Sequence, residues 1–191
     1  FNDNAGVVVV SPKQLGHVFT ALFSGLNDYN MERRGDVGSL SRIVAMQGLV
    51  TLALTTTKEP NTAEEYFNKD TCTKLIGGLL KQLAEKLDAV RSEAGSCLLR
   101  ILKQKEPPIP YIPQKDRLID SLRLRGSGNA DELNINWADA SETFPLVIQA
   151  LEIEEYFDHI ISGLVISVGC LTQSVAKQAT AVLVQWVKES N

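Results

Sequence analysis

RGDVGSLSRIVAMQGL occupies residues 34–49, and KLDAVRSEAGSCL occupies residues 86–98. Each places an Arg three residues before an Ala and seven before a Leu: Arg42, Ala45 and Leu49, then Arg91, Ala94 and Leu98. An Asp stands a few residues upstream of each, Asp36 and Asp88, and reads as a helix N-cap accepting backbone N–H bonds. Steps of three and four put the three side chains on one face of an α-helix. Ala at the middle position lets a second helix approach closely, and Leu a turn later fills the groove between them. Lys177, Thr180 and Val184 repeat the spacing more weakly near the C-terminus.

Apolar spacing stays helical in both directions from these stretches. Ser11-Pro12 combines an N-cap hydroxyl with Pro at the first helical position. Leu15, Val18, Phe19, Leu22, Phe23 and Leu26 then recur at three and four. After a break at residues 26–30, the helix behind Asp36 presents Leu40, Ile43, Val44, Leu49 and Leu52 inward. Residues 58–62 contain Pro60 and form a loop. A third helix runs over residues 62–86, with Tyr66, Phe67, Leu75, Ile76, Leu79, Leu80 and Leu83 inward, and Asp88 opens a fourth. Residues 107–113, PPIPYIP, form an extended polyproline-like strap. A short helix follows over residues 114–124, then the flexible loop of residues 126–129. Ser141 caps a helix reaching Leu151, and the last two helices cover residues 154–168 and 172–188. No strand pattern has a partner.

The fold class is therefore all-α. HEAT-like helical hairpins stack as a short α-solenoid, with a Pro-rich strap and a flexible inserted loop. The 49 residues between Arg42 and Arg91 come close to the HEAT period of about 40–47. A single helical-repeat domain spans residues 1–191, and residues 105–136 form the inserted connection. Because the chain opens on Phe1, with a Val-rich run behind it, it reads as a fragment of a longer protein.

Composition narrows the function classes. Residues 1–125 carry 17 Lys/Arg against 14 Asp/Glu, whereas residues 126–176 carry eight acids and no base. Such a block repels nucleic acid, whose binding rests on phosphate neutralisation. It is either a solvated face or a surface that steers a basic partner. Apolar runs such as residues 163–171 fall short of the roughly 20 residues of a membrane span. Three cysteines in apolar helical contexts point to buried thiols in a reducing, cytoplasmic setting.

Catalytic, cofactor and metal sites are not expected. His17 and His159 read as half-buried packing residues, and no Cys-x-x-Cys or His-x-x-x-His spacing offers zinc ligands. Gly126-x-Gly128 and Gly35-x-x-Gly38 lack the Gly-Lys-Ser/Thr of a phosphate loop. Surface recognition remains. Pro108 and Pro110 lie in overlapping Pro-x-x-Pro registers, either docking in an aromatic groove or packing along the helices. Trp137 is either an interface anchor or a lid on the core. Arg33 and Arg34 either clamp carboxylates or phosphates or stay solvated. Gly35 and Gly38 read as backbone elements of a tight inter-helix turn, and Arg42 and Arg91 as ladder-like ion pairs between repeats.

Several of these segments together resemble one family. Leu26-Asn27-Asp28-Tyr29, then Arg34-Gly35-Asp36-Val37-Gly38 with Arg42 and Ala45, is similar to the tubulin-folding cofactor D family. So are Ala84-Glu85-Lys86-Leu87-Asp88 with Arg91, Pro107-Pro108-Ile109-Pro110, Asn136-Trp137 and Phe144-Pro145. Gly163-Leu164-Val165-Ile166-Ser167-Val168-Gly169, with Leu171, Thr172 and Ser174, completes a resemblance over residues 24–188. It departs from the family at Leu40-Ser41, where an aromatic is usual, and in the more basic Met31-Glu32-Arg33. The resemblance implies the C-terminal domain of a large HEAT-repeat chaperone, a protein-binding scaffold at the cytoplasmic microtubule cytoskeleton. Its implied partners are β-tubulin, tubulin cofactors C and E and an ADP-ribosylation-factor-like small GTPase. The implied work is assembly and disassembly of the α/β-tubulin heterodimer. Asp28, Tyr29, Arg33, Arg34, Pro108, Pro110 and Trp137 are the candidate contacts. A general transport adaptor, or a GTPase-activating contribution from Arg33 or Arg34, is the alternative.

Overall fold

Helix α1, Pro12–Gly25, begins where the sequence places it, in a computed structural model that describes residues 11–58, 68–124 and 135–190. The Ser11 hydroxyl accepts the Gln14 N–H while the Gln14 amide reaches back to the Ser11 N–H, a reciprocal capping box. A two-residue antiparallel hairpin follows, β1 (Met31–Glu32) and β2 (Gly35–Asp36), with Met31 opposite Asp36. The sequence reading contains no strand at this point. Next come α2, Gly38–Thr56, α3, Lys69–Leu83, and α4, Asp88–Lys103. The short α5, Lys115–Ser121, sits in the connection before α6, Ala140–Val147. Two 3-10 turns lead to α7, Phe157–Val168, and α8, Gln173–Glu189.

The helices pair as α1 with α2, α3 with α4 and α7 with α8. The pairs then stack, α2 on α4 and α3 on α7, while α6 lies against α8. This is the all-α, hairpin-stacking architecture expected of a short helical solenoid. α3 is its centre: Leu75, Ile76, Leu79, Leu80 and Leu83 are all fully buried. Burying five such side chains contributes on the order of 10 kcal/mol before chain entropy is subtracted. Small residues let the neighbours come close. A Cβ on Gly163 of α7 would sit 2.4 Å from the Lys81 carbonyl oxygen of α3.

Three expected caps are corrected. α2 has Val37, in right-handed backbone and without a side-chain bond, at its N-cap. Asp36 lies outside the helix because its carboxylate faces Arg42, six residues on. Asp88 is the first helical residue of α4 rather than its cap, where an acid still suits the helix dipole. For α6 the cap is Asp139, whose carboxylate accepts the N–H of Ser141.

The inward face of α2 is also corrected. Leu40 and Val44 are 71% and 61% exposed, and the buried stripe is Arg42, Ala45, Met46, Leu49, Val50 and Ala53. An apolar helix surface on nearly every side leaves its rotation undetermined by periodicity, and here the burial of Arg42 sets it. By length and composition α2 is also long and apolar enough to cross a membrane, which the sequence reading overlooks. In the fold it packs along α1 and α4. The C-terminal echo of the repeat fails outright, since Lys177, Thr180 and Val184 are all exposed and α8 turns Val175 and Ala179 inward. His17 is exposed rather than half-buried, whereas the His159 ring is half-buried and lies over Gly77.

The strap over residues 107–113 is not a continuous polyproline helix. Tyr111 and Gln114 have φ of 57° and 45°, which turn the chain at both. Ile109 and Ile112 are buried in the core. The Pro110 carbonyl accepts from the Cys72 thiol at 2.9 Å, and the Pro113 carbonyl from the Tyr156 hydroxyl at 2.9 Å. Residues 126–129, Val7 to Val10, Pro60, Tyr66 and Phe67 lie outside the described residues.

Candidate functional site

Asp28, Tyr29, Gly35, Asp36, Gly38 and Arg42 converge on one largely buried polar elbow. Gly35 takes φ +113° at the hairpin turn, a left-handed conformation that an L side chain adopts only with strain. Gly38 is needed for a different reason, because its Cβ would lie 2.3 Å from the Asp28 carbonyl oxygen. That close approach folds residues 28–30 back onto the start of α2, with the Gly38 N–H donating to the Asn30 carbonyl at 3.2 Å.

Arg42 closes the elbow from inside. Its guanidinium is fully buried and donates to both Asp36 carboxylate oxygens at 3.1 Å, to the Asp28 carbonyl and to Glu85 at 3.4 Å. Lys86 Nζ adds a second cation 3.1 Å from Asp36. Burial alone raises the Asp36 carboxyl, but the hydrogen bonds from Arg42 and Lys86 outweigh it and hold the group below its ordinary value. Glu85 goes the other way. Its fully buried carboxyl is pushed up by desolvation, against a bond from the Leu87 N–H at 2.8 Å and the charge of Arg42. Buried ions of this kind are held by mutual pairing, since either sign left alone is costly.

Tyr29 lies across the same cluster. The Arg42 guanidinium stands 4.3 Å and the Lys81 amine 5.2 Å from its ring centre. The Asp28 carboxylate is held below its ordinary value by hydrogen bonds from the Ser41 hydroxyl and the Asn30 N–H. Sequence reasoning treats Asp28 and Tyr29 as outward contacts, whereas both are half-buried and structural in what they touch. Arg33 and Arg34 stay exposed at the hairpin, and Arg34 has a loose ion pair with Glu32 at 3.7 Å.

Arg91 repeats the position of Arg42 with different partners. It donates to the carbonyls of Glu85, at 2.8 Å, and Lys86, at 2.9 Å, and to that of Ala138. Its guanidinium also lies over the Phe144 ring at 5.6 Å. Of the expected ion pairs between repeats, Arg42 makes one with Glu85, whereas Arg91 makes none among the described residues and is held by peptide carbonyls instead. Trp137 is 8% exposed and packs on Gly95 of α4, where a Cβ would meet the indole at 2.3 Å, so it lids the core. Pro108 is exposed and Pro110 half-buried.

Glu85, Lys86 and Gln82 complete this arrangement, and sequence reasoning gave none of their side chains a role in it. Gln82 is fully buried and donates from Nε2 to the Leu26 carbonyl at 2.8 Å, satisfying the end of α1. Ser167 does the same for the Ala84 carbonyl after α3, at 2.7 Å. The available signal was polar residues at inward positions, Gln82 between Leu80 and Leu83, and Glu85 between Ala84 and Leu87.

The interactions of this region hold the start of α2 against the end of α3. Among the described residues no group of three or more His, Cys, Asp or Glu is placed to hold a metal. Burial pushes the Cys72 and Cys97 thiols up to about 12, which keeps them protonated at neutral pH. Met31, Leu40 and Val44 are all well exposed, as are Arg33 and Arg34.

Residues 73–191 match the sequence model of a family described as tubulin folding cofactor D C terminal, which takes in α3 from its second turn through α8. The chain is also 26% identical over 166 residues to a tubulin-specific chaperone D from Dictyostelium discoideum. That alignment covers 80% of this chain and 11% of the relative, so the chain spans about a tenth of that protein's length. No solved structure matches the chain.

Proposed function

The chain belongs to the tubulin folding cofactor D family, through that family's C-terminal region, and from that premise we propose that it is a protein-binding scaffold in tubulin heterodimer assembly. In this reading it helps capture β-tubulin and join or separate the α/β heterodimer, together with cofactors C and E and an ADP-ribosylation-factor-like small GTPase. It acts in the cytoplasm at the microtubule cytoskeleton and supplies surfaces rather than catalysis. The family match over residues 73–191 is the observation that carries the proposal. The exposed side chains of Met31, Leu40 and Val44, and of Arg33 and Arg34, support it, because apolar and arginine side chains left on a surface are what a partner protein buries.

The test is capture of purified β-tubulin and of the GTPase by the full-length protein, with and without Leu40→Asp and Val44→Asp. Both side chains are exposed, so the helical fold is expected to survive while capture falls. Full-length protein that retains neither partner overturns the proposal. A GTPase-activating contribution rests on the exposed Arg34 at the hairpin. It predicts that Arg34→Ala slows GTP hydrolysis in the reconstituted assembly, and an unchanged rate removes it.

A further inference from the structure

Among the described residues the non-glycine residues with positive φ are Tyr111, Gln114 and Arg123, at 57°, 45° and 53°, and all three lie in the connection between α4 and α6. A left-handed backbone crowds the Cβ of an L residue, and for a bulky aromatic it is a genuine outlier. Neither Tyr111 nor Gln114 gains a place in the core by it, since both side chains are exposed. Such strain persists only where the surroundings over-determine the backbone, and it gathers at binding sites and switch segments.

The contacts that hold this segment down are few. Residues 107–114 run from beyond the end of α4 to the N-cap of α5. Four of the eight are prolines, which have no N–H to donate to the helices. The segment is held to the stack by the buried Ile109, Ile112 and Pro113. Two of its carbonyls accept side-chain donors, Pro110 from the Cys72 thiol of α3 and Pro113 from the Tyr156 hydroxyl, each at 2.9 Å. The thiol is a weak donor. Gln114 adds only an exposed bond to Glu155 at 3.2 Å. Cys72 itself is fully buried and belongs to α3, the centre of the stack.

We propose that residues 107–114 are a strained lid over Cys72, which opens by itself while the helical stack stays folded. Opening releases the left-handed backbone at Tyr111 and Gln114, frees the two side-chain donors and admits solvent to the Cys72 thiol. Closed, the lid shields that thiol, which burial pushes up to about 12 and so keeps protonated and inert. The lid thus gates Cys72, which reacts from the open position only. This inference stands apart from the tubulin reading, because it uses only the strap and its contacts.

The test is native-state labelling of the whole chain with N-ethylmaleimide, read cysteine by cysteine by mass spectrometry of the digested protein. The Cys72 thiolate adds across the maleimide double bond, forming an S–C bond, and the adjacent ring carbon takes up a proton from water. Cys170, half-buried just beyond α7, gives the rate of an accessible thiol. Opening a lid exposes little surface, so Cys72 labelling is expected to stay level as urea is raised below the unfolding transition and to climb only within it. Tyr111→Asn supplies a residue that accepts left-handed backbone, and is expected to slow the level rate at least threefold. The Tyr111 side chain is half-exposed, so the variant leaves the core filled. A Cys72 that stays unlabelled below the transition, or one whose rate rises with urea from the start, overturns the inference, because global unfolding alone then reaches the thiol. A Tyr111→Asn rate equal to or above that of the unaltered chain overturns it as well. The urea profile needs no variant, so it decides between lid and global opening even where the substitution disturbs the fold.

Discussion

Arg42 and Arg91 occupy the same place in two similar stretches, yet one is held by carboxylates and the other by peptide carbonyls. Around Arg42 the anchors are Asp36 and Glu85, both nearly or fully buried, with Lys86 as second cation. Around Arg91 the anchors are the carbonyls of Glu85, Lys86 and Ala138, groups that carry partial charge only. The same side chain thus solves two problems. At the first it neutralises buried acids that a hairpin brings together. At the second it satisfies carbonyls left open where α3 ends and where α6 is about to start.

The difference sets the expected order of damage. Arg42→Met leaves Glu85 buried without a cation and Asp36 with Lys86 alone, and should cost about 3–5 kcal/mol of unfolding free energy in a urea titration. Arg91→Met leaves carbonyls unpaired but no buried charge, and should cost about 2–3 kcal/mol. If the Arg91 variant proves the weaker, the contrast between the two anchors is wrong. Gly38→Ala probes the approach that gives Arg42 its carbonyl partner. Its Cβ would strike the Asp28 backbone, so a loss of about 1–3 kcal/mol is expected.

The acid limb of stability sharpens the comparison further. Asp36 is held below its ordinary value of 3.8, so its contribution is present above that pH and is lost as pH falls through the lowered value. Glu85 is raised above 4.5, so its contribution is present at lower pH and is lost as pH rises through the raised value. Asp36→Asn should therefore flatten the decline below about pH 4. Glu85→Gln should instead flatten a decline that sets in above pH 4.5. Indistinguishable pH profiles for the two variants would contradict the opposite assignments. The smallest effect belongs to the hairpin tip. Arg34→Ala removes one loose, exposed ion pair and should leave the urea midpoint unchanged.

The helices, their pairing and the family were legible in the sequence, and the elbow was legible in part. Gly35, Gly38, Asp36 and Arg42 stood out as a turn with a cap, and the turn is there. The cap is not, because a carboxylate at Asp36 finds more stabilisation in a buried guanidinium than in the first N–H groups of α2. Trp137 and the proline strap were left between surface and core, and packing put them at the core through Gly95, Ile109 and Ile112. The exposed Leu40 and Val44 were missed because α2 is apolar nearly all round, and a helix without a polar side does not declare which side faces in.

Chain-local chemistry alone determined that this protein is helical, where most of its helices lie, and that two of them share an arginine-bearing pattern. Apolar period, caps, prolines and glycines act within a few residues, so one dimension records them. Tertiary structure alone decided which carboxylate meets which arginine, which face of α2 is buried, and what holds the strap to the helices. Those outcomes depend on groups far apart in the chain, 83 residues in the case of Ser167 and the Ala84 carbonyl. Desolvation and pairing then select the partners, and neither can be read from a residue's neighbours in sequence.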